Sequence, residues 1–401
     1  MLTIQTYPEW LDLVTAPETT GPSPEAAADA FLAAALREGA LLPELPTEAA
    51  ALVPRRALHH GVTALVVARS EALDMLPEGA RSAMRNQALG EAMWDLRHRQ
   101  VLVPLIEQVT KAGIPAVLLK GTALAYSLYP SPALRQRGDT DVLVPMGVAE
   151  KARWILMDAG FLRNLDSTIG EGIETNRQEC WIKSAEDGTE HVVDLHVGVM
   201  HSWSLAELID VQTVMARSAA LPGLSPRARR IGDADALYHA CLHRGVHIKS
   251  PYHVDGEVIL GGDRLIWLYD LHLLAPHLLR QDWDDLLDRV QRDRTADLCF
   301  DALSAARRLL GTQLPKGLLA ALEARVVTDG PSFFLARASD ERRFLSNLSA
   351  VPGLGGKLAY LRTVFFPSSL YMRQKYPGMA GYPVPLLHLR RITDRMRRRS
   401  S

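Results

Sequence analysis

The sequence predicts an α/β (α+β) protein: a mixed sheet with helices packed against it, flanked by helical N- and C-terminal regions. Three observations point there. Past Arg97 the apolar spacing alternates between a helical and a strand period; Asp187-Gly188 sits between two strand-like runs as a hairpin signal; and helix-forming stretches with clear punctuation lie on both sides. The 401 residues are 47% hydrophobic, enough for two or three compact units of roughly 100 to 200 residues each.

Ser23 offers a capping oxygen to a helix that Pro24 opens, Glu25 to Arg37 continue and Gly39 closes. Thr47 is positioned to cap a second helix, which Pro54 is expected to bend or restart. His59 and His60 are expected to pack at a helix junction. Val101, Leu102, Leu105, Ile106 and Val109 recur at helical spacing up to Gly113, and "IPAVLLK" then reads as a short apolar strand. A helix from Ala123 to Leu128, the loop "YPSPALRQRG", a strand "DTDVLV" and a helix from Val148 to Ala159 follow in turn. "ECWIKSA" and "EHVVDLHV" form the antiparallel pair joined by "EDGT". Helices from Asp235 to His247 and from Asp263 to Leu274 bracket the Gly-rich loop "YHVDGEVILGGD". The last 50 residues read as an extended arm ending in a basic helix or tail that includes Arg390, Arg391, Arg395, Arg397, Arg398 and Arg399. The expected division is therefore a helical region over 1–96, a core over 97–218, a helical region over 219–330, and an arm and tail over 331–401.

Forty-five Lys and Arg against 46 Asp and Glu leave a net charge of -1, which excludes a strongly basic nucleic-acid binder and a wholly acidic disordered chain. Cys180, Cys241 and Cys299 are too scattered for a disulfide scaffold or a CxxC zinc site, so a reducing compartment fits. Met1 to Pro17 shows no signal-peptide pattern, and the longest apolar runs fall short of a membrane span of about 20 residues. A cytoplasmic protein without integral membrane association is expected.

The chemistry-bearing residues gather in the central unit. Asp139 and Asp141 stand two apart on a strand, so both carboxylates project from one face. Like charges about 4 Å apart repel by several kcal/mol at an effective dielectric near 20, and a cation is expected between them. Mg²⁺ suits such hard oxygen ligands. The alternation of "HVVDLHV" puts Asp194 and His196 on the face opposite Val193, Leu195 and Val197. Should this strand neighbour that of Asp139, three carboxylates converge, enough for two metals. Lys120, Gly121 and Thr122 lie at a strand-to-helix turn that suits phosphate, and Arg135 and Arg137 offer fork donors. The same turn residues also fit a purely structural role. His196 is expected to orient rather than to act as a base. His239, His243 and His247 share a helix face, but the first and last stand about 12 Å apart along the axis, too far for one metal, which leaves packing or acceptor contact. An ion pair is expected between Arg264 and Asp270.

The succession "LLKGTALAYSLY", "RQRGDTDVLV", "VDLHVGV" resembles the uncharacterised nucleotidyltransferase family of the DNA polymerase beta-like superfamily. The match is firm from about Ala112 to Val199. The usual Gly-Gly or Gly-Ser turn is replaced here by Lys-Gly-Thr. The resemblance implies a nucleotidyltransferase-type sheet and Mg²⁺-dependent (or Mn²⁺-dependent) transfer of a nucleoside monophosphate from a nucleoside triphosphate by two-metal catalysis. It implies Asp139, Asp141 and Asp194 as catalytic metal ligands, and Lys120, Gly121 and Thr122 toward the triphosphate; Arg137 is expected to join them as a fork donor from its place just before the aspartates. The acceptor stays open among a small molecule, a protein and an RNA end. Two rival readings remain: a noncatalytic binding or regulatory protein on the same fold, and a phosphoryl or pyrophosphoryl transferase using the same site.

Overall fold

The computed structural model describes residues 22–164, 177–248, 251–254, 257–260, 262–328, 330–331, 340–379 and 381–399. Its centre is a seven-stranded mixed sheet, built from β1 (Val117–Leu118), β2 (Asp139–Leu143), β3 (Leu162–Asn164), β4 (Gln178–Ser184), β5 (Glu190–His196), β6 (Ala219–Ala220) and β7 (Arg229–Arg230). The order across the sheet is β3-β4-β5-β2-β1-β7-β6. The pairs β2–β5 and β1–β7 are parallel, and every other pair in this sheet is antiparallel. The hairpin read from Asp187-Gly188 is present: Gly188 takes a φ of 81°, and the Thr189 amide donates to Asp187 Oδ1 at 2.9 Å. The fully apolar β1 is sandwiched between β2 and β7, which accounts for a strand without alternation.

One helix, Glu78–Lys111, spans 34 residues behind the sheet. It runs without interruption through the boundary expected at 96–97, because its polar N-terminal half also has work to do against the core. Leu102, Leu105, Ile106 and Val109 form its buried apolar face, while Asp95 and His98 are buried two turns and one turn before. The helix Thr47–His60 likewise passes through Pro54 where a restart was expected. Burial of Ala49, Ala50, Val53 and Ala57 outweighs the one backbone hydrogen bond that the proline lacks. Its cap is Pro46 rather than Thr47, whereas Ser23 does cap the first helix, Pro24–Ala35. His60 packs at the junction as expected, with Nε2 2.9 Å from Asp29 Oδ1 of that first helix.

Two expectations are corrected in the C-terminal part. The Gly-rich stretch is a hairpin of β8 (Pro251–Val254) and β9 (Glu257–Leu260). The expected extended arm is a succession of helices, Asp340–Ala350, Gly353–Phe365, Ser369–Lys375 and Val384–Arg399. Pro352, Pro367 and Pro383 fall between these helices, so the prolines mark helix ends and starts instead of preventing helices. No helix among the described residues is long and apolar enough to cross a membrane.

The buried arginines stitch helices to the core. Asp270, on the helix Leu265–Leu274, pairs with Arg135 and not with Arg264. The Arg135 Nε and Nη2 groups meet Asp270 Oδ1 and Oδ2 at 2.9 and 2.7 Å, and the Tyr129 hydroxyl donates to Oδ1 at 2.7 Å. Arg264 instead donates through Nε to the carbonyl of His59 at 2.6 Å. Both members of the Arg135–Asp270 pair are buried, so truncating one leaves an uncompensated charge. Asp270→Ala should cost about 3 to 5 kcal/mol of unfolding free energy by denaturant titration; a loss under about 1 kcal/mol would mean that the pair is not desolvated as described.

Candidate active site

The parallel register of β2 and β5 sets Asp139 opposite Val192 and Asp141 opposite Asp194. Partners in register share a sheet face, so Asp141 and Asp194 stand side by side, with His196 two residues further on the same face. Side-chain ligand atoms of Asp141, Asp194 and His196 all lie within 4.8 Å of one another. All three residues are buried, whereas Asp139 is half-buried at the start of its strand. The structure thus brings the three predicted carboxylates to one strand pair, and the tightest cluster in it includes His196 instead of Asp139.

Thr140 points to the other face of β2 and holds the strand from behind. Its hydroxyl lies 2.7 Å from His98 Nε2 of the long helix and 2.8 Å from the Thr122 hydroxyl. Thr122 also donates to the carbonyl of Asp139 at 3.3 Å. Of the turn residues expected at phosphate, Thr122 is therefore a buried tie to β2, since a side chain 1% exposed and already hydrogen-bonded on both sides has little left for a ligand. Gly121 lies under the Arg135 guanidinium, where a Cβ would come within 3.7 Å of Nη1.

Lys120 takes a left-handed φ of 47° and opens the short helix Lys120–Ala125. Its ammonium donates to Asp141 Oδ1 at 2.6 Å and lies 3.3 Å from His201 Nε2. The cation expected among the carboxylates is thus supplied in this structure by the chain itself. The Arg137 guanidinium bonds the Asp95 carboxylate and the carbonyl of Pro132, and lies over the rings of Tyr126 and Trp94. A fork held by a buried carboxylate on the long helix serves as a clasp for the loop, and its charge still acts on Asp139.

The electrostatics follow from burial. Charges within 4.8 Å of one another repel by about 3 kcal/mol or more at an effective dielectric near 20. Burial, then the charges of Asp139 and Asp141, push the Asp194 carboxyl up to about 8. Burial and Asp141 push Asp139 up to about 6. Burial would raise Asp141 too, but Lys120 and His196 outweigh it and hold that carboxyl well below the usual range. With Asp141 ionised, the His196 Nε2 that lies 2.8 Å from its Oδ1 must be the donor, which gives His196 the orienting role expected of it. Gln178 of β4 donates to Asp194 Oδ2, while the buried Oδ1 has no well-formed hydrogen bond. A buried carboxylate oxygen without a donor, beside two further carboxylates, fits a divalent cation.

Beyond Lys120 lies a cavity of about 220 Å³, walled by His201, Ser202, His239, His243 and His247. Arg343 and Asn347 of the helix Asp340–Ala350 close it from outside, with Asn347 Oδ1 accepting from the Ser202 hydroxyl at 2.6 Å. A smaller cavity, of about 40 Å³, shares His239 and His243 and reaches Lys120. Burial first, then Lys120 and the neighbouring imidazoles, keep these histidines neutral: His239 falls to about 3, His247 to about 4, and His201 and His243 lie well below their usual value. Sequence reasoning missed His201, Asn347 and Gln178. Gln178 was within reach of the hairpin register, whereas nothing in the spacing marks the other two.

The model of the uncharacterised nucleotidyltransferase family matches residues 48–311. The chain belongs to that family. Membership supports nucleotidyl transfer as its general chemistry, and the matched span carries every strand of the sheet, the carboxylate cluster and the histidine helix Asp233–His247. The helix that closes the cavity lies outside it. Among solved structures, this nucleotidyltransferase is similar to JHP933 from Helicobacter pylori, at 14% sequence identity and a TM-score of 0.30, over 60% of this chain and 90% of that one. No curated protein matches.

The raised Asp194 carboxyl has a measurable consequence. Without metal, the folded chain keeps a proton up to about pH 8, whereas an unfolded carboxyl loses it near pH 3.9. The folded state therefore binds more protons than the unfolded one, and stability falls as pH rises through the folded value. Unfolded histidines are already neutral above about pH 7, so the window from about pH 7 to about pH 8 reports mainly Asp194, with a smaller share from Glu91, which burial pushes up to about 7. Metal-free protein should lose on the order of 1 kcal/mol across it, and Mg²⁺ should raise the melting temperature more at the upper end because its ligands are then deprotonated. Asp194→Asn should flatten the metal-free profile; an unchanged slope would move the titration to another group.

Proposed function

We propose that this nucleotidyltransferase moves a nucleoside monophosphate from a nucleoside triphosphate to a hydroxyl-bearing acceptor, with Mg²⁺ at the β2–β5 carboxylates. The observation that carries the reading is the register that sets Asp141 beside Asp194 with an unsatisfied buried oxygen on Asp194. Asp139, Asp141 and Asp194 would hold two metal ions, and Mn²⁺ would serve the same ligands. When bound, the ions supply charge to the α-phosphate and to the departing pyrophosphate.

The remaining work belongs to the chain's own residues. His196 fixes the orientation of Asp141. Lys120, released from Asp141 as metal charge replaces its own, meets the donor phosphates, and the backbone of Gly121 lies beside it. The acceptor sits in the histidine-lined cavity, where neutral imidazoles exchange hydrogen bonds with a hydroxyl while hard Mg²⁺ keeps to the carboxylate oxygens. Its oxygen bonds to the α-phosphorus, the bond to the bridging oxygen of the β-phosphate breaks, and the proton passes to the Asp194 carboxylate, which metal binding would keep deprotonated. Alignment and charge neutralisation carry this reaction, with no covalent protein intermediate.

The test is product mass after incubation with labelled triphosphates and Mg²⁺. Release of pyrophosphate with monophosphate gained by the acceptor supports the reading; gain of a phosphoryl or pyrophosphoryl group, or binding without turnover, replaces it. Asp139→Asn is the cleanest variant, because the residue is half-buried at the start of its strand and the change removes a charge that burial already disfavours, so the fold should survive. Turnover should fall by about a thousandfold or more with little change in melting temperature. Asp141→Asn should also abolish transfer, but at a cost in stability, since it strips the partner from the buried Lys120. Full activity in a folded Asp139→Asn protein would remove that residue from the metal set.

A further inference from the structure

The C-terminal helices carry an exposed apolar face set in basic surroundings. On the helix Gly353–Phe365, Leu354, Leu358 and Phe365 are 82%, 66% and 52% exposed, with the half-buried Leu361 between them. At about 100° per residue these four positions fall within roughly 60° of arc, while Lys357 and Arg362 land on its two flanks. Tyr360 faces inward, 5% exposed and with its ring centroid 5.8 Å from that of Phe344, so the helix is seated by one side and shows its apolar stripe on the other. The last helix, Val384–Arg399, lies alongside. Arg391 Nη1 donates to the carbonyl of Val364 at 2.9 Å, and the rings of His388 and Phe366 are 6.1 Å apart. That contact brings exposed Phe366, Leu386 and Leu389 to the same region.

The charge of this region sets it apart from the rest of the molecule. Residues 351–401 hold ten Lys and Arg and one carboxylate, Asp394, a net of +9 in a chain whose total is -1. An apolar stripe flanked by cations that can extend their alkyl stems is the arrangement of a helix lying in a lipid interface. Eight of these cations belong to the helices Gly353–Phe365 and Val384–Arg399, and near an anionic leaflet they would add a long-range attraction that a neutral surface does not. Leucine dominates the stripe and cannot stack on bases as an RNA platform requires. A second copy would bring one +9 region against another across a twofold axis, which repels.

We infer that the helices Gly353–Phe365 and Val384–Arg399 form a docking face for an anionic lipid surface. The enzyme would lie on the membrane, with the apolar stripe in the headgroup boundary and the basic residues at the phosphates.

Vesicle flotation of the full chain tests this. Binding should be at least about tenfold stronger to phosphatidylcholine vesicles containing about 30 mol% phosphatidylglycerol than to phosphatidylcholine alone, and should weaken between about 0.1 M and about 0.5 M salt. The triple variant Leu354→Ser, Leu358→Ser, Phe365→Ser changes only exposed side chains, so its melting temperature should hold while anionic-vesicle binding drops by about tenfold or more. The pair Lys357→Glu and Arg362→Glu should lose binding as well. Equal binding to both vesicle types, or no effect of either variant, would overturn the assignment. Salt-sensitive binding to a single-stranded RNA oligonucleotide without flotation would give the face to nucleic acid. A serine-sensitive dimer in sedimentation velocity, again without flotation, would give it to a second copy.

Discussion

The rest of the site depends on one constraint, the parallel pairing of β2 with β5 in the register that makes Asp141 and Asp194 neighbours. A shift by one residue would turn Asp194 to the opposite face and leave the carboxylates on different sides of the sheet. The register is pinned from several directions. Thr140 anchors β2 to the long helix through His98 and to the Lys120 turn through Thr122. The β4–β5 hairpin fixes β5 from the other edge and delivers Gln178 to Asp194. A buried cluster of like charges opposes folding, so this much rigid scaffolding around it is what allows the carboxylates to persist so close together.

Charge is distributed by the same logic throughout the interior. Several arginines are matched with carboxylates from distant elements: Arg135 with Asp270, Arg137 with Asp95, Arg244 with Asp263 and Asp301, Arg289 with Asp235. The first two pairs tie flanking helices to the loop that enters β2, which explains why arginines so close to the aspartates in sequence have partners elsewhere, and the others tie the helical segments to one another. Lys120 alone among the cations near the cluster remains with the carboxylates, and its single charge cannot balance three acids. The strongly raised carboxyl of Asp194 is the measure of that imbalance.

The cavity gives the site a second side. Its walls come from the loop after β5, from the helix Asp233–His247 and from the helix Asp340–Ala350, three segments far apart in the chain. The enclosing helix belongs to the same C-terminal region that exposes the apolar and basic face. The carboxylate cluster is thus housed in the matched family region, whereas the closing of the cavity and the surface beyond it depend on residues outside that region.

The sequence by itself determined the mixed sheet, the hairpin at Asp187-Gly188 and the shared face of Asp139 and Asp141, because strand alternation, turn chemistry and i,i+2 spacing are local properties written in adjacent residues, whereas the arrival of Asp194 beside them was decided by the β2–β5 pairing. It also marked His60 and His196 as structural, since each sits where packing or a neighbouring acid limits it. What it left undecided was partner choice. Arg135 and Arg137 read as phosphate forks and became clasps, Arg264 lost Asp270 to Arg135, and Lys120 turned to Asp141. The prolines of the last 50 residues read as an arm and proved to be helix boundaries. A long flexible cation can reach any of several carboxylates, and only the tertiary structure, by burying one of them within its reach and denying both to water, decided which pair forms.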